Sequence, residues 1–364
     1  MKKLVLIAII FLNAGVLAAQ EKKPMNQKAD SIEIPLHANA ELLARFPGQQ
    51  VTGVTITNQK QLFVNFPRWR EGLKNSVLKI SPTRGNIPYP DKKWNSWKIG
   101  DQPSSTQFIG VQSVVAQKNS LYVLDTRSVE FQPPLDAPRI FVFDLESGLP
   151  TETYILSKNV YYPDSYINDL RIDRKNNRIY MTDSGHAGLI VLNMRSGKCK
   201  RVLDNHYSTR AETDHLTFDD QQWKGTINSD GIALDQKAGI LYYHALSGYT
   251  LYAIKTKDLI KLPEKELETK VQRIAHTGAT DGMFFDQRRG NLIISDLEHH
   301  EIRYFKPGKE KKTHLLISGE YVKWSDTFSG DKYDLYYTNS RINEVKGDIS
   351  KLAFTVYKVG LPGK

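Results

Sequence analysis

Asp-Gly-Ile-Ala-Leu-Asp at residues 230–235 and Leu-Tyr-Tyr-His at 241–244 form two short apolar segments joined by a polar turn. A second copy begins 281 − 230 = 51 residues later, with Asp-Gly-Met-Phe-Phe-Asp at 281–286 and Leu-Ile-Ile-Ser-Asp at 292–296. Apolar runs of this length, bounded by Gly, Asn, Asp and Ser, are typical of β-strands. Their recurrence after about 50 residues predicts sheets arranged as the blades of a β-propeller.

The same pattern recurs along most of the chain, in six copies. The residues that begin the copies, called the leading residues below, are Thr52, Gln112, Asn168, Asp230, Asp281 and Asp326. Their separations of 60, 56, 62, 51 and 45 residues suit blades of four short strands with variable loops. We therefore predict an all-β fold, a six-bladed β-propeller with a central channel, over residues 31–364. We expect segments 31–46 and 351–359 to meet in one blade, because ring closure protects the sheet edges.

The first residues of the chain predict export. Two lysines precede an unbroken apolar run at 4–12, and the small residues within 16–19 suit cleavage by signal peptidase. The apolar run is shorter than the roughly 20 residues that a membrane-spanning helix needs, so no transmembrane segment is predicted. We assign residues 1–19 to a cleavable signal peptide and 20–30 to a flexible leader, and we expect a secreted or periplasmic protein.

Charge and cysteine content limit the classes of partner. The formal net charge of +10 becomes 48 − 40 = +8 without Lys2 and Lys3. Because the basic residues are scattered along the chain, we expect no nucleic-acid partner. The one cysteine, Cys199, cannot form an intramolecular disulfide, so burial of apolar surface must stabilise the fold. We predict a monomer whose partner is a small molecule.

Several segments resemble the yellow/major royal jelly protein family. They share their order with that family, from about residue 50 to 345, and include Phe-Val-Asn-Phe-Pro-Arg-Trp-Arg at 63–70, Tyr-Ile-Asn-Asp at 166–169 and Leu-Tyr-Tyr-His-Ala-Leu-Ser at 241–247. The resemblance implies a six-bladed propeller with a central channel. It also implies two kinds of activity. Some insect members bind small amines in the channel, and others are linked to pigment chemistry, including tautomerase activity on catecholic substrates.

A more distant resemblance is to the senescence-marker-protein/gluconolactonase propellers. Thr-Asp-Gly-Met at 280–283 and Asn-Asp at 168–169 resemble their ligand loops. This resemblance implies a divalent metal at the channel mouth, held by a Glu and several Asn or Asp side chains. Thr52 occupies the position where the Glu is expected, which argues against lactonase chemistry.

If the innermost strands line the channel, the leading residues form a polar ring at one end. The predicted ligand-binding residues are Asn168, Asp169, Asp230, His244, Asp281 and Asp326. Within this set Asn168, Asp230 and Asp281 are candidate ligands for Ca²⁺ or another divalent cation, because Ca²⁺ prefers six to eight oxygen ligands. The same carboxylates suit an organic amine, which would gain charge-assisted hydrogen bonds and cation–π attraction from aromatic walls.

Other interpretations of these residues stay open. An Asp before Gly at a strand entrance often caps a turn, and His244 is included because imidazole titrates near neutrality. The function we predict is binding of a small polar or aromatic ligand, an amine or a metal ion, in the channel. A metal-assisted hydrolase or isomerase that uses the Asn/Asp ring is one alternative, and a protein-interaction scaffold is another. The sequence assigns no catalytic residue.

Overall fold

The computed structural model describes residues 33–81 and 83–363, so the predicted signal peptide and leader lie outside the described residues. Within these ranges, 24 of 26 strands form six antiparallel sheets of four strands each. The first strand of every sheet contacts the first strand of the next sheet, and the sixth returns to the first. This closed circle of first strands confirms the prediction of a six-bladed β-propeller.

Strand β1 (Glu41–Pro47) precedes three consecutive blades. Blade 1 contains β2 (Gly53–Ile56), β3 (Leu62–Asn65), β4 (Val77–Ser81) and β5 (Gly85–Pro88). Blade 2 contains β6 (Val111–Gln117), β7 (Ser120–Asp125), β8 (Arg139–Asp144) and β9 (Pro150–Ile155). Blade 3 contains β10 (Ile167–Asp173), β11 (Arg178–Asp183), β12 (Gly188–Asn193) and β13 (Cys199–Val202). The four strands of each blade are hydrogen-bonded in chain order.

A two-stranded hairpin, β14 (His215–Phe218) and β15 (Gln221–Lys224), separates blade 3 from blade 4. Blade 4 contains β16 (Ser229–Asp235), β17 (Ile240–Ala245), β18 (Thr250–Lys255) and β19 (Gln272–His276), with helices α1 (Thr256–Lys261) and α2 (Glu264–Glu268) before its last strand. Blade 5 contains β20 (Met283–Asp286), β21 (Asn291–Asp296), β22 (Glu301–Phe305) and β23 (His314–Ser318). Blade 6 contains β24 (Ser325–Gly330), β25 (Asp334–Asn339), β26 (Ala353–Gly360) and β1, with 3₁₀ turns at Glu320–Val322 and Ile342–Glu344.

Blade 6 closes the ring with strands from both ends of the described chain. Strand β1 pairs antiparallel with β26 from Glu41–Lys358 to Pro47–Ala353. This pairing confirms the expected meeting of segments 31–46 and 351–359. The closure gives β26 a partner on each side, because β25 lies on its other edge. The ring is therefore held by backbone hydrogen bonds where no disulfide is available.

Apolar side chains fill the spaces between neighbouring blades. Ile140 from blade 2 and Leu170 and Ile190 from blade 3 belong to one fully buried cluster. Between blades 1 and 2 the filling is aromatic, with Trp94 packed edge-to-face against Phe141 at 5.0 Å. Burial of each such side chain contributes about 1.5–3 kcal/mol. The core thus lies between the sheets and leaves the channel to polar residues.

No helix within the described ranges 33–81 and 83–363 is long and apolar enough to cross a membrane.

Candidate functional site

A cavity of about 460 Å³ opens at the end of the channel where the first strands begin. Five of the six leading residues line it, namely Gln112, Asn168, Asp230, Asp281 and Asp326. We call this space the acidic cavity. Thr52, the sixth leading residue, is fully buried and lies outside the cavity lining. Its hydroxyl accepts a hydrogen bond from Asn65 at 3.3 Å, and its carbonyl accepts one from Thr338 at 2.6 Å.

β-Bulges occur at four of the leading residues that line this cavity. The strand ladder shifts register at Gln112, at Asn168, at Asp230 and at Asp326. In blade 1 the pairing after Thr52 is regular. A bulge adds one residue to a strand and re-aims its side chains, and bulges are frequent beside binding sites. Blade 5 also pairs regularly, and Asp281 still lines the cavity, so a bulge accompanies four of the five lining residues and is not required.

A chain of hydrogen bonds joins residues of four blades and ends on a carboxyl group. The indole nitrogen of Trp69 donates to Tyr166 at 2.6 Å, and Tyr166 donates to Gln112 Oε1 at 2.7 Å. Gln112 Nε2 donates to Asn168 Oδ1 at 2.7 Å, and Asn168 Nδ2 donates to Asp230. Because an indole nitrogen can only donate, Trp69 fixes the direction of the whole chain. Asn168 therefore presents its amide nitrogen, and not its oxygen, to Asp230.

A second donor approaches the site from blade 6. Trp324 Nε1 donates to Asp281 Oδ2 at 2.7 Å, and the carboxyl of Asp281 lies close enough to that of Asp230 to affect its pKa. Burial, followed by the charge of Asp326, raises the pKa values of Asp230 and Asp281 well above the ordinary range. The raised pKa values favour the protonated, uncharged form of both carboxyls.

Asp326 completes the group of three carboxyls. Its pKa is raised to about 7. Burial is the main cause, and it outweighs the opposing effect of hydrogen bonds from the hydroxyls of Ser340 and Thr327. A carboxyl group in this condition changes charge within the physiological pH range. Strongly perturbed carboxyls in a cleft are typical of functional sites.

Two predicted site residues lie outside the acidic cavity. Asp169 accepts a hydrogen bond from Ser113 at 2.7 Å and forms an ion pair with Arg171 at 2.7 Å. Its charge still contributes to the raised pKa values of the three cavity carboxyls. His244 is fully buried behind the bulge of β16, with Nδ1 at 2.6 Å from the carbonyl of Ala245. Burial lowers the pKa of His244 to about 4, so its ring is a neutral part of the core.

Aromatic side chains form the walls of the acidic cavity. Trp69 and Phe131 stack at 5.4 Å on one side, and Phe131 lies 6.0 Å from Tyr166. On the other side Trp223 packs edge-to-face against Trp324 at 5.1 Å. The sequence prediction included none of these rings as ligand-binding residues. Tyr166 and Trp324 each lie two residues before a leading residue, and this spacing was the available signal, since a strand places such residues on one face.

The β14–β15 hairpin covers part of the cavity mouth. Trp223 and Lys224 of β15 line the cavity, and Phe218 of β14 stacks on Trp324 at 5.6 Å. The backbone N–H of Thr217 donates to Glu298 of blade 5 at 2.6 Å. The hairpin is therefore packed directly on the tryptophan that donates to Asp281.

The predicted metal ligands Asn168, Asp230 and Asp281 lie together in the cavity lining, and Asn168 donates a hydrogen bond to Asp230. Across residues 33–81 and 83–363, no group of three or more His, Cys, Asp or Glu side chains is arranged to hold a metal ion. The amide oxygen of Asn168 is already engaged by Gln112. The N–H groups of Asn168 and Trp324 point at the carboxyls of Asp230 and Asp281. The remaining carboxyl oxygens suit a ligand that carries hydrogen-bond donors or a positive charge.

Comparison with known sequences gives a consistent result. The family model for "Major royal jelly protein" matches residues 110–332. Major royal jelly protein 7 of Apis mellifera is 27% identical over 326 residues, which cover 79% of this chain and 72% of that protein. Protein yellow of Drosophila erecta is 28% identical over 160 residues, which cover 40% of this chain and 29% of that protein.

Comparison with solved structures also finds propellers. A luciferin-regenerating enzyme aligns with a TM-score of 0.56 and 13% identity, over 90% of this chain and 96% of that chain. The calcium-binding protein regucalcin of Agrobacterium tumefaciens aligns with a TM-score of 0.53 and 10% identity, over 90% and 96%. At such identities the likeness shows the fold alone.

Proposed function

Because the chain belongs to the major royal jelly protein family, as its sequence segments indicated, we propose that it binds a small organic cation, an amine with an aromatic part, in the acidic cavity. One observation carries the proposal: Asp230, Asp281 and Asp326 converge in a cavity whose walls are aromatic. An ammonium group gains charge-assisted hydrogen bonds from carboxylates and cation–π attraction from indole rings.

The size and shape of the cavity support a small ligand. Its volume of about 460 Å³ falls within the range of roughly 300–1,000 Å³ found for small-molecule sites. Trp69 and Phe131 form a stacked pair on one wall, and Trp223 lies on the opposite wall. A flat ring fits between these walls with its ammonium group directed at the carboxyls.

The direction of the hydrogen bonds favours an organic cation over a metal ion. Ca²⁺ requires several oxygen ligands, whereas Asn168 presents its nitrogen to Asp230 and Trp324 directs an N–H at Asp281. An ammonium group needs only the free oxygens of the carboxyls. A divalent cation stays an alternative that the same experiment tests.

A matched pair of compounds tests the proposal. Tyramine and tyrosol share a phenol ring and differ in a terminal ammonium or hydroxyl group. We expect isothermal titration calorimetry to detect tyramine binding, a raised melting temperature in its presence, and no comparable binding of tyrosol. Asp326→Asn should weaken tyramine binding by about tenfold or more, because it removes a charged partner.

The control variant is Glu152→Gln, which removes an exposed carboxylate on β9, far from the cavity lining. Its tyramine affinity should equal that of the wild type. Equal affinity for tyramine and tyrosol would refute recognition of an amine. Binding of Ca²⁺ that is lost in Asp230→Asn, without any amine binding, would establish the metal alternative.

A second candidate function, isomerisation, is supported by the neighbouring carboxyls of Asp230 and Asp281, whose raised pKa values favour the protonated form. One carboxylate could remove a proton from a substrate while its protonated partner returns one to another atom, so no oxidant is needed. Catecholic aminochromes are suitable probes, and their absorbance would report the conversion. We expect Asp230→Asn to abolish any turnover, and an absence of turnover in the wild type would refute this candidate.

We also propose that the mature protein acts outside the cytoplasm as a monomer. The support is the apolar run at 4–12 behind two lysines, which suits a cleavable signal. Amino-terminal sequencing of protein from the periplasm or culture medium should find a new terminus close to residue 20. Recovery of an intact Met1 from that fraction would refute cleavage, and light scattering would measure the oligomeric state.

A further inference from the structure

The end of the channel opposite the acidic cavity is formed by the turns that join the first and second strands of the blades. All six first strands begin at the acidic cavity, so all six turns lie at the other end. Each turn carries one exposed basic side chain, and these are Lys60, Lys118, Lys175, Lys237, Arg288 and Lys332. Residues scattered along the sequence are thus gathered into a ring of six cations.

A second cavity, of about 620 Å³, opens within this ring. We call it the basic cavity. Four of the six cations line it, namely Lys60, Lys118, Arg288 and Lys332. They come from blades 1, 2, 5 and 6, so positive charge approaches the cavity from several directions. Arg171 of blade 3 also lines it, from deeper in the channel.

The carboxylates in these turns are engaged by their own backbone. Asp235 accepts hydrogen bonds from the N–H groups of Lys237 and Ala238, both at 2.9 Å. Asp286 accepts one from the N–H of Arg288 at 2.9 Å, and its other oxygen pairs with Arg289 at 2.9 Å. These aspartates cap the turns, which is the usual role of Asp at such positions.

Asp331 is engaged in a different way. It accepts the N–H of Tyr333 at 2.7 Å and pairs with Lys60. Burial raises its pKa, but the Lys60 ammonium and the backbone donors outweigh this effect and bring the value to about 2. Within the described residues, Lys60 is the one member of the six that forms an ion pair. The cations of Lys118 and Arg288 are therefore available to a ligand, whereas Lys332 Nζ lies over the ring of Tyr333 at 4.7 Å.

We propose that the basic cavity binds a compact multivalent anion, an organic molecule bearing two or more phosphate groups. Lys binds phosphate as a point charge, and Arg binds it through a pair of parallel hydrogen bonds. The cations surround a concave space of ligand size, whereas an extended polyanion would need a basic groove or stripe. Because this site and the acidic cavity share no lining residue, each can fail without the other.

Calorimetry with inorganic tripolyphosphate at low salt tests the proposal. We expect saturable binding with one ion per protein in the wild type. The double variant Lys118→Glu with Arg288→Glu should weaken binding by at least about tenfold, because two cations become anions. Both side chains are exposed, so the variant should keep the circular dichroism spectrum and melting temperature of the wild type.

The matched control is Lys309→Glu with Lys311→Glu. It changes the net charge equally, in an exposed turn between the outer strands of blade 5. Its affinity for tripolyphosphate should stay within about twofold of the wild type, since neither lysine lines the basic cavity. An equal loss in both double variants would overturn the proposal, because it would show a general effect of net charge.

Vesicles distinguish a free anion from an anionic surface. Sedimentation with phosphatidylglycerol vesicles, and with neutral phosphatidylcholine vesicles for comparison, would detect binding to a membrane surface. Tripolyphosphate should release any vesicle-bound protein if both occupy the basic cavity. Vesicle binding that depends on Lys118 and Arg288 but resists tripolyphosphate would overturn the proposal of a compact ligand.

Discussion

The two ends of the channel are built from the same repeated strand, yet they treat charge in opposite ways. At the start of the first strands, carboxyls are buried among aromatic rings and coupled to one another, so their pKa values rise. At the ends of those strands, Lys and Arg lie on exposed turns. Buried charges interact strongly and constrain the fold, whereas exposed charges are screened by solvent and add little to stability. The acidic end is therefore expected to contribute to the stability of the fold, whereas the basic end is expected to tolerate substitution.

The largest expected difference between the two ends is in stability. Trp324 is fully buried under the β14–β15 hairpin, so Trp324→Ala should lower the free energy of unfolding by about 3–5 kcal/mol. Lys118→Ala at the basic end should change it by less than about 0.5 kcal/mol. Urea unfolding followed by circular dichroism measures both. Similar losses of stability in the two variants would show that the two ends of the channel do not differ in their contribution to the fold.

The pH dependence of stability should come from the acidic end. Burial raises the folded pKa of Asp326 to about 7, so the folded protein keeps a proton between about pH 4 and pH 7 that the unfolded chain has released. The stability from this group is fully present at low pH and is lost as the pH rises through about 7. The free energy of unfolding of Asp326→Asn should therefore rise by roughly 2–4 kcal/mol relative to that of the wild type between about pH 5 and pH 8.

Urea unfolding at the two pH values measures this gain. Lys118→Ala is the control, and its pH dependence should match that of the wild type. A wild-type protein whose stability relative to Asp326→Asn is the same at both pH values would contradict the raised pKa.

Salt should separate the two binding sites. Raising NaCl from about 0.05 to 0.5 M should weaken tripolyphosphate binding by about tenfold or more, because exposed charges are screened. Tyramine binding should weaken by less than about threefold, since its carboxyl partners are buried. Parallel calorimetric titrations at several NaCl concentrations give the slope of log affinity against log salt concentration for each ligand. Equal slopes would show that the acidic cavity is as open to solvent as the basic one.

The smallest expected effect is at the rim of the acidic cavity. Phe131 is 65% exposed and stacks on Trp69, so Phe131→Ala should leave the free energy of unfolding within about 0.5 kcal/mol of the wild type. The variant should still weaken tyramine binding by about three- to fivefold, through loss of an aromatic contact. Thermal unfolding and calorimetry on the same sample separate these results. A loss of stability without any loss of affinity would assign Phe131 to the fold alone.

The sequence predicted the fold because the blades repeat. A polar residue recurs at the start of the apolar first strand, and this repetition predicted a ring of six leading residues, of which five line the acidic cavity. Thr52 is the exception: it is fully buried and hydrogen-bonded to Asn65 and Thr338, in a blade whose first two strands pair without a bulge. A bulge is a feature of backbone pairing that composition alone does not reveal. The assignment of these residues to a ligand stays a prediction.

The repeat pattern did not predict the roles of Trp223, His244 and the basic residues, and each has a physical reason. Trp223 belongs to a hairpin inserted between two blades, so no repeat position marked it. His244 lies in a family-like segment, but on the second strand of its blade, where side chains belong to the core. The basic residues appeared scattered because they are about 50 residues apart along the chain. Only the ring of turns brings them together.

Closure of blade 6 by β1 and β26 has a consequence for the order of synthesis. The pairing joins Glu41 to Lys358, so β1 cannot meet its partner until the five blades that lie between them in the sequence have been synthesised. Until then blade 6 has an unpaired edge, and such edges promote aggregation. Contacts so distant along the chain also slow folding. We therefore expect a chain shortened before β26 to aggregate more readily than one that includes this strand.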